Sequence, residues 1–206
     1  MRLAVQGPAG NVYDKYGTHN PLARLVVRRF LAAVDATVDE NRPSSVLDVG
    51  CGDGFVTERL AQRLPEAQVV GFDVGDPRLR AQWGRRERRN LSFREASAYS
   101  VPYDDDSFEL VCALEVFEHL ERPREALAEL TRVASRTLLL SVPAEPLWRV
   151  LNILSGRYVL ALGNTPGHVN HWSRRSFVGF CREAGELARV RTPVPWTMVT
   201  VAVNGH

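Results

Sequence analysis

The chain of 206 residues is poor in lysine, cysteine and net charge, and each shortage removes a class of explanation. Lys15 is its sole lysine, so nearly all positive charge is arginine. Such a bias reflects genomic base composition as well as function and carries no functional weight. The formal net charge is only +2, so the whole chain supplies no strong attraction to nucleic acid or to an acidic membrane. Its three cysteines, Cys51, Cys112 and Cys181, are isolated, odd in number and without a CxxC pair. That spacing excludes a disulfide framework and a paired-cysteine metal site, and points to a reducing compartment. No stretch reaches the roughly 18 apolar residues of a membrane span, and the N-terminus lacks the apolar core of a signal peptide. The expectation is a cytoplasmic protein with no stable membrane insertion. Internal repeats and low-complexity linkers are missing too.

What remains is an ordinary globular balance, 45% hydrophobic and 24% charged, at a length suited to one core with a small surplus. Apolar residues recur at the helical period over residues 21–38, 57–64, 77–89 and 123–133. Short Val- and Leu-rich runs at 45–50, 68–72, 91–94, 109–113 and 137–142 read as strands buried on both faces. Strands alternating with helices predict a parallel, doubly wound sheet, because each parallel neighbour needs a crossover. Residues 174–184 read as a last helix. Residues 187–191 and 197–203 read as two strands joined by a turn at Pro193 and Pro195, an antiparallel hairpin at the sheet edge. Between 143 and 172 the chain is long and turn-punctuated. Leu147, Val150, Leu151, Leu154 and Tyr158 alternate there with Arg149, Asn152 and Arg157, which predicts an amphipathic helix.

The strongest local signal is VLDVGCGDG, in which Gly50, Gly52 and Gly54, with Cys51 among them, follow the first strand and precede a helix. Glycines there allow a tight turn and a close approach of backbone to ligand; alone they also fit an ordinary strand-to-helix turn. Asp48 lies just upstream, and Asp73 ends the second strand, where an acid can accept hydrogen bonds from a ribose diol. A dinucleotide fold uses the same acid but prefers GxGxxG. Here the pattern is GxGxG beside Asp48 and Asp53, so a ligand carrying an amine and a sulfonium suits it better than a pyrophosphate.

In order, VLDVGCGDG, VVGFDVG, ASAYSVPYDDDSFELV and ALEVFEHL resemble the motifs of class I S-adenosylmethionine-dependent methyltransferases, specifically the methyltransferase type 11 group. The resemblance implies a Rossmann-like, doubly wound seven-stranded α/β sheet, mostly parallel with an antiparallel last strand, plus a helical cap insert after the fifth strand. A single domain over 1–206 would then divide into an N-terminal helical lid (1–44), a cofactor-binding core (45–142), a substrate cap (143–172) and a closing helix and strands (173–206). The resemblance also implies that Asp48, Gly50 and Gly52 border the methionine part of S-adenosylmethionine. Cys51 and Gly54 share that loop, Asp73 binds the ribose with Val74 beside the adenine, and Ser97 and Ala98 contact the adenine. Many members have Asp where this chain has Ser97. Leu114 and Glu115 match the boundary between cofactor and substrate, and Tyr13 or Tyr16 would close over the methionine moiety. An aromatic pair packed on the core is the alternative for the two tyrosines.

For acceptor chemistry, ALEVFEHL sets Glu115, Glu118 and His119 at i, i+3 and i+4, one face of a helix if the segment is helical. The segment resembles that of ubiquinone-pathway O-methyltransferases. His119 could serve as a base, the three could hold a divalent metal, or they could simply brace the fold. His168 and His171 in GNTPGHVNHWS are candidates for substrate contact or proton acceptance, or for fastening the cap. A divalent metal is an option, with no metal ligand assigned. The seven arginines between Arg78 and Arg94 read as a solvated helix face, since no exposed aromatics accompany them to stack bases, and Asp104 to Asp106 as a turn.

The expected function is methyl transfer from S-adenosylmethionine to a small-molecule acceptor, giving S-adenosylhomocysteine, with oxygen favoured over nitrogen or carbon. A non-catalytic cofactor-binding protein on the same fold is the alternative. A nicotinamide-dependent oxidoreductase is disfavoured by the missing third spaced glycine and the lack of a Tyr-x-x-x-Lys pair. No nucleic-acid partner is expected, and the cap offers a surface for a homodimer, a membrane contact or a roof over the acceptor.

Overall fold

The structure, a computed structural model, describes residues 21–148 and 167–203. The elements run α1 (Pro21–Asn41), β1 (Ser45–Val49), α2 (Phe55–Arg63), β2 (Gln68–Asp73), α3 (Pro77–Arg86), β3 (Leu91–Glu95), β4 (Phe108–Leu114), α4 (Pro123–Val133), β5 (Ala134–Pro143), α5 (Arg174–Cys181), β6 (Glu186–Arg191) and β7 (Trp196–Ala202). Local chemistry sets several ends. Pro77 and Pro123 open their helices where a missing N–H costs nothing. The Asp76 side chain caps α3 by accepting from the Arg78 N–H at 2.8 Å, and the Ser173 hydroxyl caps α5 by accepting from Ser176 at 3.1 Å.

The seven strands lie in the order β3-β2-β1-β4-β5-β7-β6. β1 to β5 are parallel, and β7 is antiparallel to both of its neighbours. The closing pair is therefore a hairpin, with β7 inserted beside β5 and β6 at the edge.

Alternation along the strands feeds two cores. Val46, Leu110, Cys112 and Leu139 face α1, α2 and α3, where they meet Phe30, Val34, Leu60, Leu79 and Trp83. Leu47, Val49, Val111, Leu138 and Leu140 face α4 and α5, where they meet Leu127, Leu130, Phe177 and Phe180. Each fully buried side chain of this size contributes roughly 1.5–3 kcal/mol, which is why the central strands read as continuous apolar runs rather than alternating ones. Among the described residues no helix is long and apolar enough to cross a membrane. The expected amphipathic cap helix falls mostly within 149–166 and lies outside the described residues, as do Tyr13 and Tyr16.

With parallel strands ordered 3-2-1-4-5, the crossovers leave β1 on opposite sides of the sheet. The carboxyl ends of β1 and β4 therefore border a crevice at the switch point, the place where such sheets bind ligands.

Candidate cofactor and acceptor site

The glycine loop begins where β1 ends. The Gly50 and Cys51 N–H groups both donate to the Phe72 carbonyl, at 2.8 and 3.0 Å, which turns the chain back over β2. Gly50, Gly52 and Gly54 all take positive φ, +71°, +54° and +80°, a region that L side chains rarely adopt. Their surroundings differ. A Cβ on Gly50 would sit 2.5 Å from Val116 Cγ2, and one on Gly54 would sit 2.6 Å from the Phe93 ring, whereas one on Gly52 would meet no atom within 4 Å. The outer two glycines serve packing, and Gly52 faces open space. From α3 the loop is held in place by the Trp83 indole N–H donating to the Gly52 carbonyl at 2.8 Å and by Arg86 Nε donating to the Asp53 carbonyl at 2.9 Å. Trp83 itself stacks on Phe93 at 5.5 Å.

Two carboxyl groups flank this loop. Asp48 is 2% exposed, on the strand face toward α2, where Thr57 Oγ1 donates to it at 2.7 Å. Burial pushes its pKa up to about 7, against the lowering effect of the Thr57 bond and with a smaller push from Asp73. A cation bound nearby would draw it back to the carboxylate. Asp73 accepts from the Gly52 N–H at 2.8 Å through Oδ2 and from the Val74 N–H at 2.7 Å through Oδ1. Burial raises its pKa, the two backbone bonds lower it, Asp76 raises it, and the His119 ring lies close enough to lower it. Each Asp73 oxygen keeps a second lone pair for a hydroxyl donor. The Cys51 and Cys112 thiols are pushed well above their usual range by burial and by Asp48, so neither is a nucleophile at neutral pH.

Val74 is 49% exposed beside Asp73, giving the crevice an apolar shoulder. Ser97 and Ala98 follow β3 half-buried; the Ser97 oxygen accepts from the Tyr99 N–H at 3.2 Å, a local turn bond. Leu114 closes β4, half-buried. An open glycine, a ribose-type acid, an apolar shoulder and a buried acid fit an adenosyl compound carrying positive charge.

Beyond β4 the sequence expectation needs correction. Residues 115–120 are a turn rather than a helix, with Glu115 at φ +59°. The Glu115 N–H donates to the Ser141 carbonyl of β5 at 3.0 Å, so the backbone leaves the strand while still paired and cannot wind into helix there. Glu115, Glu118 and His119 therefore do not share a helical face. Instead the segment at 167–172 lies across the turn. The Glu118 carbonyl accepts from the Val169 and Asn170 N–H groups at 2.8 and 3.0 Å, and Asn170 Nδ2 donates to the Phe117 and Leu120 carbonyls at 3.0 and 2.6 Å. His119 Nδ1 lies 2.9 Å from the Gly167 carbonyl. A carbonyl can only accept, so in the neutral ring Nδ1 carries the proton and Nε2 the lone pair.

His168 meets His119 edge-on, with ring centroids 5.0 Å apart. Glu118, His119 and His168 each present a possible ligand atom within 4.8 Å of the others. His171 stands separately, its Nδ1 3.9 Å from Glu145 Oε1, at a point where the Glu145 N–H donates to the Trp172 carbonyl.

Three contributors escape the motif reading: Trp83, Arg86 and Asn170. Trp83 and Arg86 sit inside the arginine-rich stretch, and only helical spacing toward the glycine loop could have singled them out. Arg86 and several further arginines of that stretch find acids: Arg78 pairs with Asp76 at 2.7 Å, Arg80 with Glu95, and Arg86 and Arg88 with Glu58. Four of the seven are thus engaged in ion pairs within the chain.

Comparison with known proteins agrees with this geometry. Residues 47–137 match the family model described as a methyltransferase domain. The chain is 34% identical over 119 residues to the demethylmenaquinone methyltransferase of Thermus thermophilus, covering 55% of this chain and 54% of that protein. It is 27% identical over 182 residues to the ubiquinone biosynthesis O-methyltransferase of Leptothrix cholodnii, covering 84% and 76%. The curated relatives matched at 36% and 34% identity are covered over only 35% and 54% of their own length. In fold, the chain superimposes on the magnesium protoporphyrin IX methyltransferase of Synechocystis PCC 6803 with bound SAH, with a TM-score of 0.66 at 22% identity over 92% of this chain and 91% of that one. Residues 47–137 thus carry a methyltransferase domain, in agreement with the sheet and with the ordered motifs that resemble those of the class I S-adenosylmethionine-dependent methyltransferases, type 11 group.

Proposed function

We propose that the chain transfers the methyl group of S-adenosylmethionine to a hydroxyl of a small molecule. The observation that carries this reading is the shared carboxyl edge: Asp73, with its oxygens facing Gly52 and Val74, lies within electrostatic reach of the His119 ring, which in turn meets the His168 ring edge-on. Methyl donor and acceptor-activating groups thus meet in one crevice. Asp48, Gly50, Cys51, Gly52 and Gly54 border the methionine part, Asp73 and Val74 the ribose and adenine, Ser97 and Ala98 the far side of the adenine, and Leu114 the approach to the acceptor.

In the reaction the acceptor oxygen attacks the sulfonium methyl carbon. The carbon–sulfur bond breaks with its electron pair going to sulfur, leaving S-adenosylhomocysteine, and the hydroxyl proton passes to an imidazole. We assign this role to His171, supported by Glu145, whose Oε1 lies 3.9 Å from its Nδ1 and offers a carboxylate partner to the imidazolium that forms. Most of the rate then comes from orientation of the two reactants. The relative named for O-methylation, covered over 76% of its length, supports oxygen over nitrogen or carbon.

The test is turnover with labelled S-adenosylmethionine against a panel of hydroxylated, amino and activated-carbon small molecules, in parent and His171→Ala. A label in hydroxyl acceptors that falls on the order of 10²-fold or more in the variant is expected. Transfer confined to amines or carbon, or unchanged by the substitution, refutes the assignment.

A further inference from the structure

Two buried hydrogen-bond donors without a partner sit side by side where β5 ends and β7 begins. Ser141 is 0% exposed and Trp196 5%, yet the Ser141 hydroxyl and the Trp196 indole N–H find no hydrogen-bond partner among the described residues. Buried donors are nearly always paired, so an orphaned pair in one corner calls for a reason. Packing alone supplies none, because an apolar residue fills the same space without that cost.

Register puts the two donors on one face. Ser141 pairs with Met198, and Pro143 with Trp196. Leu139, two residues before Ser141, and both Trp196 and Met198 belong to the core beneath α1, so Ser141 and Trp196 are diagonal neighbours on that face. On its other side Ser141 pairs with Leu114 of β4, the residue assigned above to the approach to the acceptor. The Ser141 backbone is already committed, its carbonyl accepting from the Glu115 N–H at 3.0 Å, which leaves the hydroxyl for another partner.

Aromatic rings surround the pair. Phe30 of α1 lies 4.8 Å from the Trp196 ring, centroid to centroid, and Trp148 lies 5.9 Å from it. The Trp148 N–H donates to the Ala144 carbonyl at 3.0 Å, so this wall is anchored to the end of β5.

We infer that this corner selects the acceptor: it takes a neutral, planar aromatic ring carrying a carbonyl or ether oxygen besides the hydroxyl to be methylated, and that extra oxygen accepts from the Trp196 indole and the Ser141 hydroxyl. Each part follows from the residues. An indole N–H only donates, so the ligand atom facing it is an acceptor. The neighbours Phe30, Leu114, Trp148 and Met198 carry no cation, and an ionised carboxylate buried among them is costly. Rings at these separations favour a flat partner, stacked or edge-on. Trp148, the half-buried member of the set, is the side chain placed to move aside on entry. The inference rests on the small hydroxylated acceptor proposed above and adds what that acceptor carries away from its reacting oxygen.

The test is direct binding to the full chain saturated with S-adenosylhomocysteine, so that no methyl group moves. The probes are two phenolic ketones, 4-hydroxyacetophenone and 6-hydroxy-1-tetralone, their counterparts without the carbonyl, 4-ethylphenol and 5,6,7,8-tetrahydro-2-naphthol, and the anion 4-hydroxybenzoate, titrated at mildly acidic pH where the phenols are neutral. In the parent each ketone should bind about 10-fold or more tighter than its counterpart, and 4-hydroxyacetophenone about 10-fold or more tighter than 4-hydroxybenzoate. Trp196→Phe keeps a ring and removes the N–H, and should reduce the ketone preference to within about 2-fold; Ser141→Ala should reduce it in the same direction. Without ligand, Ser141→Ala should melt at or above the parent's Tm, because it deletes a buried group that has no partner. A Tm clearly below the parent's, a ketone preference unchanged in Ser141→Ala and in folded Trp196→Phe, tighter binding of the anion, or no binding of either ketone to the folded parent overturns the inference. A chain that binds the ketones with this preference but methylates no hydroxyl sinks the proposed reaction and leaves the pocket; one that methylates hydroxyls with no ketone preference does the reverse.

Discussion

Replacing Asp48 by Asn separates the cost of its buried carboxyl from its use. The pKa stands near 3.8 for a free side chain and about 7 in the folded chain, with burial as the main cause. A difference of about three units corresponds to about 4 kcal/mol. The sign follows from proton linkage. Below about pH 4 both folded and unfolded chains hold the proton, and there is no penalty. Between about pH 4 and 7 the unfolded chain ionises while the folded one keeps its proton, so stability falls as pH rises, and the full penalty is present above about pH 7. Asn has the shape of the protonated acid and carries no penalty at any pH. Asp48→Asn should therefore match the parent's Tm at about pH 4.5 to within a few degrees. At pH 8, without cofactor, it should exceed the parent's Tm by an amount on the order of 10 °C, taking roughly 2–4 °C per kcal/mol for a chain of this size. Calorimetry at the two pH values reads this directly. The same variant should bind S-adenosylmethionine less tightly, because a buried carboxylate opposite a cationic ligand is stabilising only in its charged form. An equal Tm difference at both pH values, or a variant less stable at pH 8, would refute the reasoning.

Other substitutions probe the scaffold. Asn170→Ala removes the donor to the Leu120 carbonyl and leaves the Phe117 carbonyl only the longer bond from the Trp172 indole at 3.4 Å, so it should cost about 1–3 kcal/mol in urea denaturation; a loss below about 0.5 kcal/mol would mean the clamp is idle. Gly50→Ala drives a Cβ into Val116 and should destabilise the fold by about 1–3 kcal/mol. Gly52→Ala meets no atom, so it should cost only about 1 kcal/mol of backbone strain while weakening cofactor binding. Calorimetric titration and melting of the pair distinguish them, and equal effects on both properties would contradict the separate roles given to the two glycines.

Much of this molecule is legible in its sequence, for definable reasons. The strands are double-faced apolar runs, and Val46 to Val49 could hardly be anything else between two helical layers. Gly50, Gly52 and Asp73 announce themselves through spacing, because a left-handed turn after a strand has few chemical solutions. The turn after β4 is not legible. A spacing of i, i+3, i+4 fits a helix, and only the long-range bond from Glu115 to Ser141 of β5 overrides it. The partnership of His119 with Gly167 and His168 is hidden in the same way, since nothing local says that residues 48 positions apart will meet. Trp83 and Arg86 were masked by the arginine-rich run around them, where charge suggests solvent and the fold supplies Glu58 and Asp53.

The claim on which the rest depends is that the crevice at the carboxyl ends of β1 and β4, reached by Asp73 at the end of the neighbouring β2, holds S-adenosylmethionine. Calorimetric titration of the parent and of Asp73→Ala with S-adenosylmethionine and with S-adenosylhomocysteine tests it most directly. Saturable one-to-one binding of both ligands to the parent, lost in a variant that still melts cooperatively, is the expected result. Unchanged affinity in Asp73→Ala, or no binding to the folded parent, would contradict it.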